Sequence, residues 1–171
     1  MNRPAPPIKL VPVLASEAAA VRAMAESIWP EAYRDIIPPE QIRYMLDRMY
    51  ALPSLTAQLD SPEHRFFWIE AESVRRGFLA VELAASDASA QLHKLYLLTA
   101  QQGKGYGSAA WQALEGILQA TGCRRVTLRV NRLNAPAIGC YQKCGLTIQT
   151  SDCRDIGAGF VMDDHIFEKT L

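Results

Sequence analysis

The segment Gln101–Ser108, QQGKGYGS, sets three glycines between an apolar run, LHKLYLL, and AAWQALEGILQA, whose apolar residues recur at helical spacing. A strand that enters such a turn and leaves as a helix gathers the unbonded N–H groups of the first helical turn, with their partial positive charge, at one point. That arrangement suits a phosphate. A plain turn using glycine for positive φ is the other reading of the same letters. Two familiar phosphate motifs do not fit. A P-loop reads GxxxxGK followed by Ser or Thr, whereas Lys104 is followed by Gly105. A dinucleotide fingerprint counted from Gly103 meets Ser108 where Gly or Ala is required, and Thr121–Arg125 supplies no acid for a ribose.

The segments around this loop alternate between strand and helix patterns. IKLVPV is expected to be a short strand, and Ser16 an N-cap for a helix carrying Val21, Met24 and Ile28. WPEAYRDIIPP is expected to break that helix. Pro39 and Glu40 suit the first turn of a second, with Ile42, Met45, Leu46 and Met49 as its stripe. HRFFWIEA and RGFLAVELA read as strands around Glu72-Ser73, and the turn at Ser86–Ser89 leads to LHKLYLL. After the glycine loop, Ala110, Leu114, Ile117, Leu118 and Thr121 mark a helix that Gly122 ends, and RRVTLRV is a strand. Asn134 fits the N-cap of a short helix that stops at Gly145, and LTIQT and DHIFEKTL close the chain as strands joined by a loop with Gly157 and Gly159. This is one mixed α/β domain over residues 1–171, with the proline-rich residues 1–7 irregular and flexible.

Eighteen basic and eighteen acidic residues cancel, so no global field draws the chain to nucleic acid or to anionic lipid. No window has the roughly 18 apolar residues of a membrane span, and no leader pattern opens the chain, so a cytoplasmic protein is expected. Cys123, Cys140, Cys144 and Cys153 lack paired CxxC spacing. They are expected to be small apolar side chains rather than metal ligands, and no metal is expected.

Gln102-x-x-Gly105-x-Gly107, after a strand and opening a helix, resembles the acyl-CoA pyrophosphate loop of the GNAT superfamily of N-acetyltransferases. LRVNRLNAPAIGCYQKCGL resembles that superfamily's next strand and helix, and the two motifs span residues 92–148 in order. IIPPEQIRYMLDRMY and IGAGFVMDDHIFEK look like the small bacterial stand-alone members, among them polyamine and ribosomal-protein-type acetyltransferases. The resemblance implies an α+β fold with a mixed, mostly antiparallel sheet and about four helices. The strands LHKLYLL and RRVTLRV would run parallel and splay apart around acyl-CoA. It implies acetyl transfer from acetyl-CoA to a primary amine of a small molecule or peptide, and it admits a homodimer. The alternative on the same fold is a non-catalytic acyl-CoA-binding or interaction module.

By the same resemblance, Gln102, Gly103, Lys104, Gly105, Tyr106 and Gly107 would hold the pyrophosphate, chiefly through backbone amides. The backbone of Leu95, Tyr96 and Leu97 would pair with pantetheine and meet the thioester carbonyl. Asn134 would touch the cofactor arm as well as cap its helix, and Tyr141 would donate to the departing sulfur as the catalytic acid. Some family members carry a glutamate on the strand before the last helix, where this chain has Arg129. Glu31, Glu70, Glu82 and His93 remain as bases, directly or through water. Trp29, Glu31, Tyr33 and Asp35 would line the acceptor site, with Asp163 and Asp164 adding acidity.

Overall fold

A computed structural model of the chain describes residues 6–84 and 86–171. The expected irregularity of residues 1–7 falls mostly outside these; Pro6 and Pro7 are in no regular element. Strand β1 (Lys9–Pro12) leads to α1 (Ala18–Ala32), α2 (Pro39–Met49) and α3 (Leu52–Asp60). Three strands follow, β2 (His64–Ala71), β3 (Val74–Ala84) and β4 (Ser89–Leu97), and then α4 (Tyr106–Ala120). The chain continues through β5 (Arg125–Asn131), α5 (Ala135–Lys143), β6 (Thr147–Gly157) and β7 (Phe160–Thr170).

The strands form one sheet in the order β1-β2-β3-β4-β5-β7-β6. Every neighbouring pair is antiparallel except β4 and β5. That parallel ladder is short, from Ser89 opposite Arg125 to Leu92 opposite Leu128. Beyond it Lys94–Leu97 pair only with β3, and Arg129–Asn131 only with β7. The opening begins where the β3–β4 register shifts between Ala80 and Val81, which leaves His93 without a cross-strand partner. Such a bulge bends its strand and increases the local twist, which carries β4 away from β5.

Side-chain alternation divides the core between the two faces of the sheet. Leu79, Val81, Leu92, Val126, Leu128 and Phe167 pack under α4, against Trp111, Leu114 and Leu118. Phe66, Trp68, Phe78 and Ala80 pack on the other face, against Trp29, Leu46 and Leu55 of α1–α3.

Four expectations need correction. Ser16 does not cap the first helix; it lies inside the 3₁₀ turn Ala15–Glu17, and Glu17 is the residue that precedes α1. WPEAYRDIIPP does not end the first helix at once, because α1 continues through Pro30 to Ala32. Pro30 lies so near the C-terminus that its missing N–H removes a single bond, and the burial of Ile28 and Trp29 outweighs it. Helix α3 was not foreseen; it is nine residues long and buries only Leu55 fully, which leaves a weak periodic signal. The closing strands are longer than LTIQT and DHIFEKTL, since the polar stretch SDCRDI is held in β6 by pairing with β7 as far as Gly157 opposite Phe160. Positive φ at Gly157, Ala158 and Gly159 turns that hairpin.

Candidate active site

The divergence of β4 and β5 opens a cleft of ≈ 1290 Å³ that crosses the sheet from the α4–α5 side to the α1–α2 side. On the first side, α4 starts immediately after the glycine loop. Gly103 and Gly105 have φ of +71° and +89°, so the loop turns in left-handed conformations that suit glycine. No side chain caps α4, and the N–H groups of its first turn have no intrahelical acceptor. The Gln102 amide donates to the Leu97 carbonyl at 3.2 Å and fixes the loop to the end of β4.

Gln102, Gly103, Gly105 and Gly107 line the cleft, as do Leu95, Tyr96, Leu97 and Asn134. Lys104 and Tyr106 do not; Lys104 is exposed beside the mouth, while Tyr106 packs into the core near Arg76. Asn134 caps α5 by accepting from the Ala137 N–H at 3.3 Å.

Tyr141 lies on α5 and is buried, its ring edge-on to Trp111 and tilted against Phe167. Burial pushes its phenol far above the ordinary value, with the neighbouring Cys140 thiol adding to the shift. The group therefore stays protonated and can donate a hydrogen bond. Cys140 also lines the cleft, and its thiol is lowered by a hydrogen bond from Cys144. The four cysteines are free, but only Cys123 is buried, so the expectation of small apolar side chains holds only in part.

On the other side the wall is aromatic. Tyr33 and Tyr96 hydroxyls meet at 3.1 Å, and Trp29 packs against both rings at 4.8 and 5.6 Å. Helix α2 closes this side by docking on the β6–β7 hairpin. Gln41 donates to the Val161 carbonyl at 2.7 Å, Tyr44 to the Ile156 carbonyl at 2.6 Å, and Arg48 to the same carbonyl. Glu31, Tyr33 and Asp35 also line the cleft on this side.

The candidate bases are not brought together. Glu70 lies beside Arg75 at 3.8 Å, away from the cleft. Glu82 is outside the cleft lining and accepts a hydrogen bond from His93 at 2.6 Å; His93 reaches the wall. Arg129 is engaged by both Asp152 oxygens at 2.5 and 2.9 Å.

Two groups carry more than their sequence suggested. Asp164 on β7, opposite Asn131 of β5 and Asp152 of β6, lines the cleft at 3% exposure, and its Oδ2 has no hydrogen-bond partner. Burial raises its carboxyl pKa, and Arg129 partly offsets the shift. Lys94 on β4 is 6% exposed, with Nζ 5.4 and 5.5 Å from the ring centres of Tyr50 and Phe66, and burial lowers it from the usual 10.5 to about 8. Asp164 was named in sequence only as peripheral acidity. No signal marked Lys94, which in LHKLYLL looks like any strand residue.

Comparisons with known proteins agree with this fold. The profile of the "Acetyltransferase (GNAT) family" matches residues 21–146. An uncharacterized N-acetyltransferase of Mycobacterium tuberculosis (strain ATCC 25618 / H37Rv) is 26% identical over 143 residues, 84% of this chain and 91% of that protein. Among solved structures, the PaiA N-acetyltransferase of Thermoplasma acidophilum in complex with coenzyme A superposes with a TM-score of 0.83 at 22% identity, over 96% of this chain and 99% of that one. The ribosomal-protein-S18-alanine N-acetyltransferase of Escherichia coli gives 0.72 at 14% identity, over 96% and 94%.

Proposed function

Since the chain belongs to the Acetyltransferase (GNAT) family and is an acyltransferase, we propose that it transfers an acetyl group from acetyl-CoA to a primary amine that enters beside α1 and α2. The observation that carries the reading is the parting of β4 from β5 directly before an uncapped helix N-terminus. An anion at that terminus meets free amides and the positive end of the helix. A thioester arm leaving it would run along the β4 edge that β5 has vacated, where alternate amides of Leu95–Leu97 are available to it. That the similar Thermoplasma acidophilum protein was solved in complex with coenzyme A supports a coenzyme A thioester as the cosubstrate.

The amine attacks the thioester carbonyl carbon, and a β4 amide stabilises the oxygen that gains charge. Tyr141 donates a hydrogen bond to the departing thiolate. Its elevated pKa favours that role over complete proton transfer, since thiol acidity lies near about 8.5. Asp164 takes a proton from the acceptor ammonium, directly or through one water. It is the buried, unpartnered carboxylate of the cleft, and burial has already made it more basic. Tyr33 and Tyr96, backed by the buried Trp29, offer aromatic surface to the cation, while Glu31 and Asp35 lie at the entrance.

Release of free thiol from acetyl-CoA, followed over a panel of polyamines, amino acids and peptides with free N-termini, tests the reading. Amine-dependent release with a matching acetylated product is the expected result. Acetyl-CoA binding without release for any amine class would favour the non-catalytic module.

A further inference from the structure

Three ligand-bearing side chains outside the proposed transfer chemistry converge on the α1–α3 face of the sheet. They come from three adjacent strands and from positions far apart in sequence. His64 of β2 and Glu82 of β3 are direct cross-strand partners. His93 of β4 would ordinarily sit one position out of step. The bulge between Ala80 and Val81 leaves it unpaired, and its ring turns to Glu82. The His93 Nε2 is 2.6 Å and the His64 Nε2 3.8 Å from the same Glu82 Oε2, and the three ligand atoms all lie within 4.8 Å of one another. The two imidazoles face each other at 22° between planes.

We propose that His64, Glu82 and His93 form a binding site for a borderline divalent transition-metal ion such as Zn²⁺. Around a tetrahedral ion with bonds of about 2.0–2.1 Å, neighbouring ligand atoms are about 3.3 Å apart. The observed separations bracket that value, so rotations of the side chains bring the three atoms onto one centre without moving the strands. Two imidazoles and a carboxylate select Zn²⁺, Co²⁺ or Ni²⁺ over Mg²⁺ and Ca²⁺, which require oxygen donors. Side-chain exposures of 21%, 38% and 31% leave an entry path and an open coordination position for water.

Two features limit affinity. The His64 Nδ1 is buried without an acceptor, so its N–H would not be held as metal-bound imidazoles usually are. Lys94 follows His93 in the chain and carries like charge. Binding on the order of micromolar rather than nanomolar is expected, since a missing outer partner costs about 10- to 100-fold. An ion here would tie β2, β3 and β4 together at the bulge where the cleft begins. His93 also reaches the cleft wall, which places the site next to that space.

The experiment uses untagged full-length protein stripped with EDTA and freed of chelator. Zn²⁺ is titrated by calorimetry, and Co²⁺ by visible absorption. One equivalent should bind, with a tetrahedral or five-coordinate cobalt spectrum lacking thiolate charge-transfer bands. His64→Ala, His93→Ala and Glu82→Gln should each weaken binding about tenfold or more, with circular dichroism and melting confirming their folds. The double variant Cys140→Ser/Cys144→Ser should bind as the wild type does. Absence of saturable binding below millimolar metal would overturn the proposal. So would binding that survives both histidine variants or disappears in the cysteine variant. None of these outcomes depends on acetyl transfer.

Discussion

Replacing Lys94 with Met keeps the unbranched shape and removes the ammonium, so it isolates the cost of burying that charge. Burial lowers Lys94 from 10.5 to about 8. At about 1.36 kcal/mol per pKa unit this corresponds to about 3 kcal/mol against folding wherever both states are protonated. The Tyr50 and Phe66 rings near Nζ return about 1 kcal/mol as cation–π attraction. Lys94→Met should therefore be more stable than wild type by about 2 kcal/mol below pH 8. The sign of the pH dependence follows from proton counting. Between about 8 and 10.5 the unfolded chain holds the Lys94 proton and the folded chain does not, so wild-type stability gains on the variant as pH rises. The advantage of Met should shrink across that window and vanish or reverse near its top. Urea unfolding of both proteins in EDTA at several pH values from 7 to 10 measures it as a difference in which the tyrosines and cysteines cancel. A difference that stays constant with pH, or a wild type already the more stable at pH 7, would show that the Lys94 ammonium is solvated or paired and refute the reasoning.

Gly105→Glu should weaken acetyl-CoA binding at least about tenfold beyond the loss in Gly105→Ala. Both variants strain the same positive φ, and only Glu adds charge at the helix N-terminus; calorimetry with equal losses in the two would remove the loop from pyrophosphate binding. Tyr141→Phe should lower turnover by about ten- to a thousandfold while acetyl-CoA affinity and melting temperature hold; unchanged turnover with a lower melting temperature would assign the residue to packing. Asp164→Asn should lower kcat/KM by about a hundredfold or more. Its melting temperature at pH 7.5 should not fall, since burial disfavours the charge being removed. An Asn variant with full activity would return the proton to solvent water.

The parts legible in the sequence were those fixed by local backbone demands. A turn with positive φ at Gly103 and Gly105 requires glycine almost regardless of what surrounds it, and Asn134 caps α5 with its own side chain. Arg129 could be marked as standing where a family base often lies, but its pairing with Asp152 of β6 could not, because β7 separates those strands in the sheet. Asp164 has the same history. It reaches the cleft only because β7 is inserted between β5 and β6, and sequence spacing carries no trace of that insertion. His64, Glu82 and His93 needed the register of two ladders and a bulge, so a search for ligands at fixed intervals finds nothing. Helix α3 escaped for a different reason: with one fully buried residue, its stability comes from the elements around it rather than from its own pattern.

Lys94 also bears on how an acceptor amine could lose its proton in this protein. An alkyl ammonium near 10.4 in water stands about six units above an ordinary carboxylic acid, a gap too wide for efficient transfer. The cleft acts on both partners. Lys94, an alkylamine in its wall, is held at about 8 by desolvation, which raises its neutral fraction at pH 7 to about one in ten from roughly one in three thousand. Asp164, across the same opening, is moved upward by desolvation. An acceptor entering between them would experience the same loss of water and be lowered as Lys94 is, while its approach withdraws more water from Asp164. The two pKa values then converge, which is the condition for a carboxylate to serve as base. A carboxylate that keeps its water at the rim would gain no such convergence. That difference is the physical reason to prefer the one buried acid over the exposed ones.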